Sequence, residues 1–195
     1  MTESPPVSGP SALVIDFPSW IDELVQGFPH PLVDDEARML LTVRLSEENV
    51  VRGGGPFGGT VFLGERFLAA GVNRVLESGL SIAHAEIVAL MRAQAVLGAR
   101  AALSAPPLTL FASTEPCCQC FGALVWAGVR RLVCGATTAD AEAVGFDEGP
   151  KPDDWVAVLE RRGISVRQGV QRADAERVLG RYAAGGGLIY GKPAS

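Results

Sequence analysis

Residues 107–136 read PLTLFASTEPCCQCFGALVWAGVRRLVCGA. Pro107 to Ser113 is a nearly continuous apolar run, the pattern of a strand covered on both faces. Pro116 is a residue favoured in a first helical turn, and the helix it predicts ends at Gly128. Arg131 to Ala136 is a second apolar strand. Upstream, Thr60 to Leu63 and Phe67 to Val72 read as two short strands joined by a Gly64-Glu65 turn. Two hairpin strands followed by helices alternating with strands predict an α/β fold with a mixed sheet.

The remaining elements follow from the same patterns. Ser19 to Gly27 predicts a short helix. A longer one starts at Asp34-Asp35 and carries Ala37, Leu40, Leu41 and Leu45 up to Gly53. Asn73 to Ser81 reads as a loop, and a helix with Ile87, Leu90, Met91 and Ala95 on its apolar stripe starts near His84. Residues 153–162 read as helix, Ile164 to Arg167 as the fifth strand, and Ala173 to Ala184 as the last helix. The expected organisation is a loose Pro/Ser/Gly-rich tail over 1–15, one domain over 16–184, and a tail over 185–195 released by Gly185-Gly186-Gly187.

The length of 195 residues suits one such domain. With 48% hydrophobic and 20% charged residues, disorder of the whole chain is excluded. Lys and Arg number 17 against 22 Asp and Glu, a net charge of −5 that argues against a nucleic-acid partner. No apolar run approaches the ~18 residues of a membrane span, and the N-terminus lacks the basic start and apolar stretch of a signal peptide, so a cytoplasmic protein is expected.

Chemistry concentrates in two places. Cys117 and Cys120 lie three apart at a helix start, where both sulfurs face one point and the helix end favours thiolates. His84, at the start of another helix, can reach the same point from across the fold. One imidazole and two thiolates are three zinc ligands, leaving a fourth position for water whose pKa falls toward ~7. Glu86 stands two residues from His84 and can reach over that position as a proton shuttle. A structural zinc site closed by Cys118 or Cys134 is the alternative. Cys118 sits roughly 100° around the helix from Cys117, and Cys134 reads as a small core residue. His30 is given no role.

His84-Ala85-Glu86 followed by Pro116-Cys117-Cys118-Gln119-Cys120 matches the signature of zinc deaminases that act on bases. The sequence resembles the cytidine deaminase superfamily over about residues 35–190, and within it the bacterial guanine deaminase branch. The marks of that branch are Gly54-Gly55-Pro56-Phe57-Gly58, Asn73, Trp126 and Glu142-Ala143-Val144-Gly145-Phe146-Asp147-Glu148. The resemblance implies a three-layer α/β/α sandwich around a five-stranded sheet, Zn2+ as cofactor, and hydrolysis of guanine to xanthine and ammonia. It makes Glu86 and Glu148 the proton-shuttling acids, with Asp147 the alternative to Glu148. It also makes Asn73, Phe57, Ala85, Trp126, Asp147 and Tyr190 contacts for a nucleobase or related heterocycle. A homodimer with exchanged C-terminal segments is implied too, Leu188-Ile189-Tyr190 capping the partner's pocket. The competing readings are a deaminase of another amino-substituted ring (ammeline or another triazine, guanosine, cytosine, a tRNA adenosine) and a zinc-stabilised binding module without catalysis.

Overall fold

The computed structural model describes residues 14–98 and 107–190. Most of the expected N-terminal tail (1–13) and the last five residues of the C-terminal one lie outside the described residues. Helix α1 spans Trp20–Gln26 and α2 Asp35–Val51. Strands β1 (Gly58–Leu63) and β2 (Arg66–Val72) form the hairpin, turned by Gly64 at φ 60°. Next come α3 (Val75–Ser78), α4 (Ala85–Leu97), β3 (Leu108–Thr114), α5 (Cys118–Trp126), β4 (Val129–Ala136) and α6 (Thr138–Ala143). The chain ends with α7 (Trp155–Arg161), β5 (Ser165–Arg167) and α8 (Arg172–Ala184).

The five strands form one mixed sheet in the order β2-β1-β3-β4-β5. β1 runs antiparallel to both β2 and β3, and the β3–β4 and β4–β5 pairs are parallel. Side chains alternate across β3 as a doubly covered strand requires. Leu108, Leu110 and Ala112 pack with Leu90 of α4, Leu124 of α5 and Leu159 of α7. Phe111 points the other way, toward Met39 and Val43 of α2 and Val178 and Leu179 of α8. Helices on both faces make three layers, as expected. A third apolar cluster, Ile21 with Leu41, Leu45, Ala70 and Val72, seats α1 against α2 and β2.

The boundaries differ from expectation where packing overrides local pattern. β1 begins at Gly58, two residues before Thr60. A Cβ on Gly58 would stand 2.4 Å from the Thr42 carbonyl oxygen of α2, and one on Gly59 3.2 Å from the Ala85 carbonyl oxygen of α4. The two glycines thus let helices close onto opposite faces of the same strand. The expected loop 73–81 contains the single turn α3. Helix α6 was not foreseen, although its start is written in the sequence. Thr137 accepts from the Asp140 N–H, and the Asp140 carboxylate accepts from the Thr137 N–H, a complete capping box.

Candidate active site

The parallel strands β3 and β4 end at Thr114 and Ala136, and the site lies beyond those ends, where α/β sheets bind ligands. Two helix N-termini meet there. His84 is the N-cap of α4 and Cys117 the N-cap of α5, both with extended backbone, so each side chain turns off its helix toward the same point. His84 Nδ1 lies 3.3 Å from Cys117 Sγ and 3.7 Å from Cys120 Sγ. One ligand atom from each of the three residues falls within 4.8 Å of the others. The Gln119 amide donates to the Ile82 carbonyl at 3.1 Å and ties α5 to the segment entering His84.

This donor set fits zinc. The hydrogen bond from Cys120, then that from His84, lowers the Cys117 pKa to about 4, so a thiolate is ready at neutral pH. The same Cys117 bond, together with burial, pushes Cys120 up, and a bound dication would deprotonate both thiols. Burial opposes charge on His84, but the Cys117 bond and Glu86 outweigh it and raise its pKa. Cys118 turns away as its helical position requires, its sulfur lying against Gly149. Cys134 packs fully buried among Leu110, Leu124 and Leu132. Neither belongs to the cluster, which has one ligand fewer than a closed structural zinc site.

A cavity opens beside the triad. Its lining comprises His84, Glu86 and Cys117, the acids Glu115, Asp147 and Glu148, and Phe57, Asn73, Phe146 and Tyr190. Glu86 and Glu148 are 8% and 6% exposed. Burial raises Glu86 to about 7 and Glu148 to about 8, with the Cys117 thiolate adding to both. Asp147 is exposed at the rim and accepts from the Gly149 N–H at 2.8 Å, so of the two neighbouring acids it is Glu148 that faces inward. Asn73 is buried, its Oδ1 accepting from the Val75 N–H at 3.2 Å. Phe57 meets Phe146 edge to face at 4.8 Å, and Tyr190 meets Phe146 at 5.9 Å.

Two expectations are corrected. Trp126 is 85% exposed at the far end of α5 and lines no part of this cavity. Six residues after Cys120 is 600° around a helix, which turns it away from the sulfurs. Ala85 is fully buried, and its carbonyl packs against Gly59 and Gly71, away from the cavity lining. Within the single chain, Tyr190 of the tail lines the pocket of its own chain. Gly186 at φ 75° reverses the chain, Gly187 lies flat on the Tyr182 ring, and Tyr182 Oη donates to the Leu188 carbonyl at 2.8 Å. Glu115 and Phe146 also line the cavity, unassigned from sequence. The apolar β3 run ending in an acid was the available signal for Glu115, and the Gly-Phe-Asp segment held Phe146.

Similarities to known proteins agree with this geometry. Residues 33–136 match the family described as the cytidine and deoxycytidylate deaminase zinc-binding region. The guanine deaminase of Bacillus subtilis is 36% identical over 117 residues, 60% of this chain and 73% of that protein. A structure of guanine deaminase from Nitrosomonas europaea superimposes with a TM-score of 0.82 at 42% identity, covering 91% of this chain and 99% of the other. A structure of NE0047 with 2,6-diaminopurine gives a TM-score of 0.83 at 44% identity, covering 92% and 97%. The match takes in both halves of the zinc signature and the strand between them, and the chain belongs to the cytidine and deoxycytidylate deaminase zinc-binding family.

Proposed function

We propose that the protein is a zinc-dependent hydrolase that converts guanine and water to xanthine and ammonia. One observation carries this reading: two buried carboxyls with raised pKa values face the same cavity as a His/Cys/Cys triad, beside aromatic rings and a buried amide. Zinc held by His84, Cys117 and Cys120 supplies the Lewis acidity that makes water a nucleophile near neutral pH. Glu86 takes a proton from the attacking water and passes it to a ring nitrogen. Glu148, whose burial favours its protonated form, gives its proton to the amine leaving C2 and takes up the proton of the C2 hydroxyl as the carbonyl forms. Asn73 offers a donor and an acceptor to the purine edge. Phe57 and Phe146 hold the flat ring, and Tyr190 closes the mouth against water.

The comparisons support the choice of ring. The structures of NE0047 hold 2,6-diaminopurine and 8-azaguanine, both of which carry an amine at C2. We extend the reading to a homodimer. Trp126, Met91 and Ile87 border an open apolar groove between α4 and α5 that a second copy would cover. Light scattering in solution tests that part. Free cysteines suit a reducing compartment, so we place the protein in the cytoplasm. No helix among the described residues is long and apolar enough to cross a membrane.

The decisive assay is ammonia and xanthine release from guanine by the zinc-loaded protein, with Glu86→Gln beside it. Glu86→Gln keeps zinc and loses at least ~10²-fold in turnover. Turnover of another amino-substituted ring with none of guanine overturns the substrate. Unchanged turnover in Glu86→Gln overturns the mechanism.

A further inference from the structure

Glu115, a lining residue of the cavity, belongs to a polar network that the proposed chemistry does not use. Glu115 is 6% exposed. Its Oε2 accepts from the Thr138 N–H at 2.8 Å and from Thr138 Oγ1 at 2.9 Å, and its Oε1 accepts from the Gln168 amide. While its O–H donates to Glu115, Thr138 Oγ1 remains an acceptor, and Lys151 Nζ donates to it at 2.7 Å. A second hydrogen of Lys151 goes to the Pro116 carbonyl at 2.8 Å. The ammonium also lies 4.9 Å from the centre of the Trp155 ring. A surface lysine keeps its head in water, whereas this one turns its head inward onto two oxygens and an aromatic face.

The two oxygens belong to different segments of the chain. Pro116 precedes the zinc-binding Cys117, and Thr138 opens α6, which leads to the Glu148 loop. Lys151 itself follows Glu148 by three residues. The Cys118 N–H donates to the Glu148 carbonyl at 2.9 Å, so the loop is fastened to the Cys117 turn at two points, one backbone and one side chain. The fit is tight: at Gly149, φ 67°, a Cβ would stand 2.5 Å from Cys118 Sγ. A loop held only by the single backbone bond is free to pivot about it, and the Glu148 carboxyl swings with the pivot.

We infer that Lys151, seated on Thr138 and Glu115, is a positioning residue that holds the Glu148 loop against the metal-binding turn. The inference rests on the proton role proposed for Glu148. The experiment uses the zinc-loaded protein, with Lys151→Met and Thr138→Val each made alone and Lys151→Met also combined with Glu148→Gln. Both single variants keep one zinc per chain. Amide exchange accelerates at Cys118 and across residues 146–151 and stays unchanged in β3 and α4. With guanine, kcat falls by about 10- to 10²-fold while KM moves less than about twofold, the signature of a misplaced group. The double variant is no slower than Glu148→Gln alone, because Lys151 acts through that carboxyl. Losses that multiply, a KM-only effect, unaltered Cys118 exchange, or zinc lost from both single variants each overturn the inference. Full turnover in Glu148→Gln removes the proton role instead, and Cys118 exchange then still decides whether Lys151 holds the loop.

Discussion

Glu86 and Glu148 share a cavity yet differ in what holds them, and that difference predicts unequal responses to substitution. Glu86 is fixed in the first turn of α4, two residues from a metal ligand; Glu148 sits on a loop whose position depends on packing. Glu148→Gln removes an acid that helps ammonia depart, so kcat falls by about 10²-fold with KM little changed. Glu148→Asp shortens the reach by one methylene on an adjustable loop and recovers part of that loss. Steady-state kinetics on guanine separates the two. Asn73 is tested by the opposite signature. Asn73→Ala leaves both acids in place but removes the amide that pairs with the ring, and kcat/KM falls by about 10- to 10²-fold, the worth of one or two buried hydrogen bonds, mainly through KM. At this scale the triad and Glu86 were readable because their spacings are local: three residues within a helix start, two within another. Glu115 and Lys151 were not, since what makes them matter is that residues 115, 138 and 151 meet across three elements.

Elements set the site by how closely they approach. Gly71 lies under α4, where a Cβ would stand 2.4 Å from the Ala89 nitrogen and 2.7 Å from the Ala85 carbonyl oxygen. Both are backbone atoms and cannot swing aside. Gly71→Ala therefore pushes the helix that carries His84 and Glu86, and it costs about 1–3 kcal/mol of stability as overpacking. Urea unfolding reads the loss, and weaker zinc retention under a chelator reads the displacement of His84. At α6 the effect is smaller and of another kind. Thr137→Ala removes a side chain that satisfies a helix N–H and lowers stability by about 1 kcal/mol, while Thr137→Ser restores most of it. The contrast shows what periodicity conveys. Long helices and apolar strands declare themselves by repetition, so α2, α4, β3 and β4 were legible. A six-residue helix such as α6 has too few repeats, and its capping box is the only mark it leaves.

Across the whole molecule, one acid gathers elements distant in sequence. Asp35, in the first turn of α2, receives Arg131 of β4 at 2.7 and 2.5 Å and Arg167 of β5 at 2.5 Å, while Glu36 takes the other arm of Arg167 at 2.6 Å. The helix N-terminus adds its own preference for negative charge there. The Arg131 hydrogen bonds outweigh the cost of partial burial and hold the Asp35 pKa at about 2. A carboxyl whose folded pKa lies below its unfolded value of ~3.9 contributes stability that is fully present above that value and is lost as pH falls through about 2. Because the arginines are partly open to solvent, the contribution is held to about 1 kcal/mol. Urea midpoints of the zinc-free native chain and of Asp35→Asn therefore differ most at pH 5 to 7, and the gap narrows between about pH 4 and 2. Zinc-free protein keeps ligand protonation from dominating the acid limb. A gap that stays constant down to pH 2 means that Asp35 contributes nothing through its charge, and that α2 is held to the β4–β5 side of the sheet without help from this ion pair.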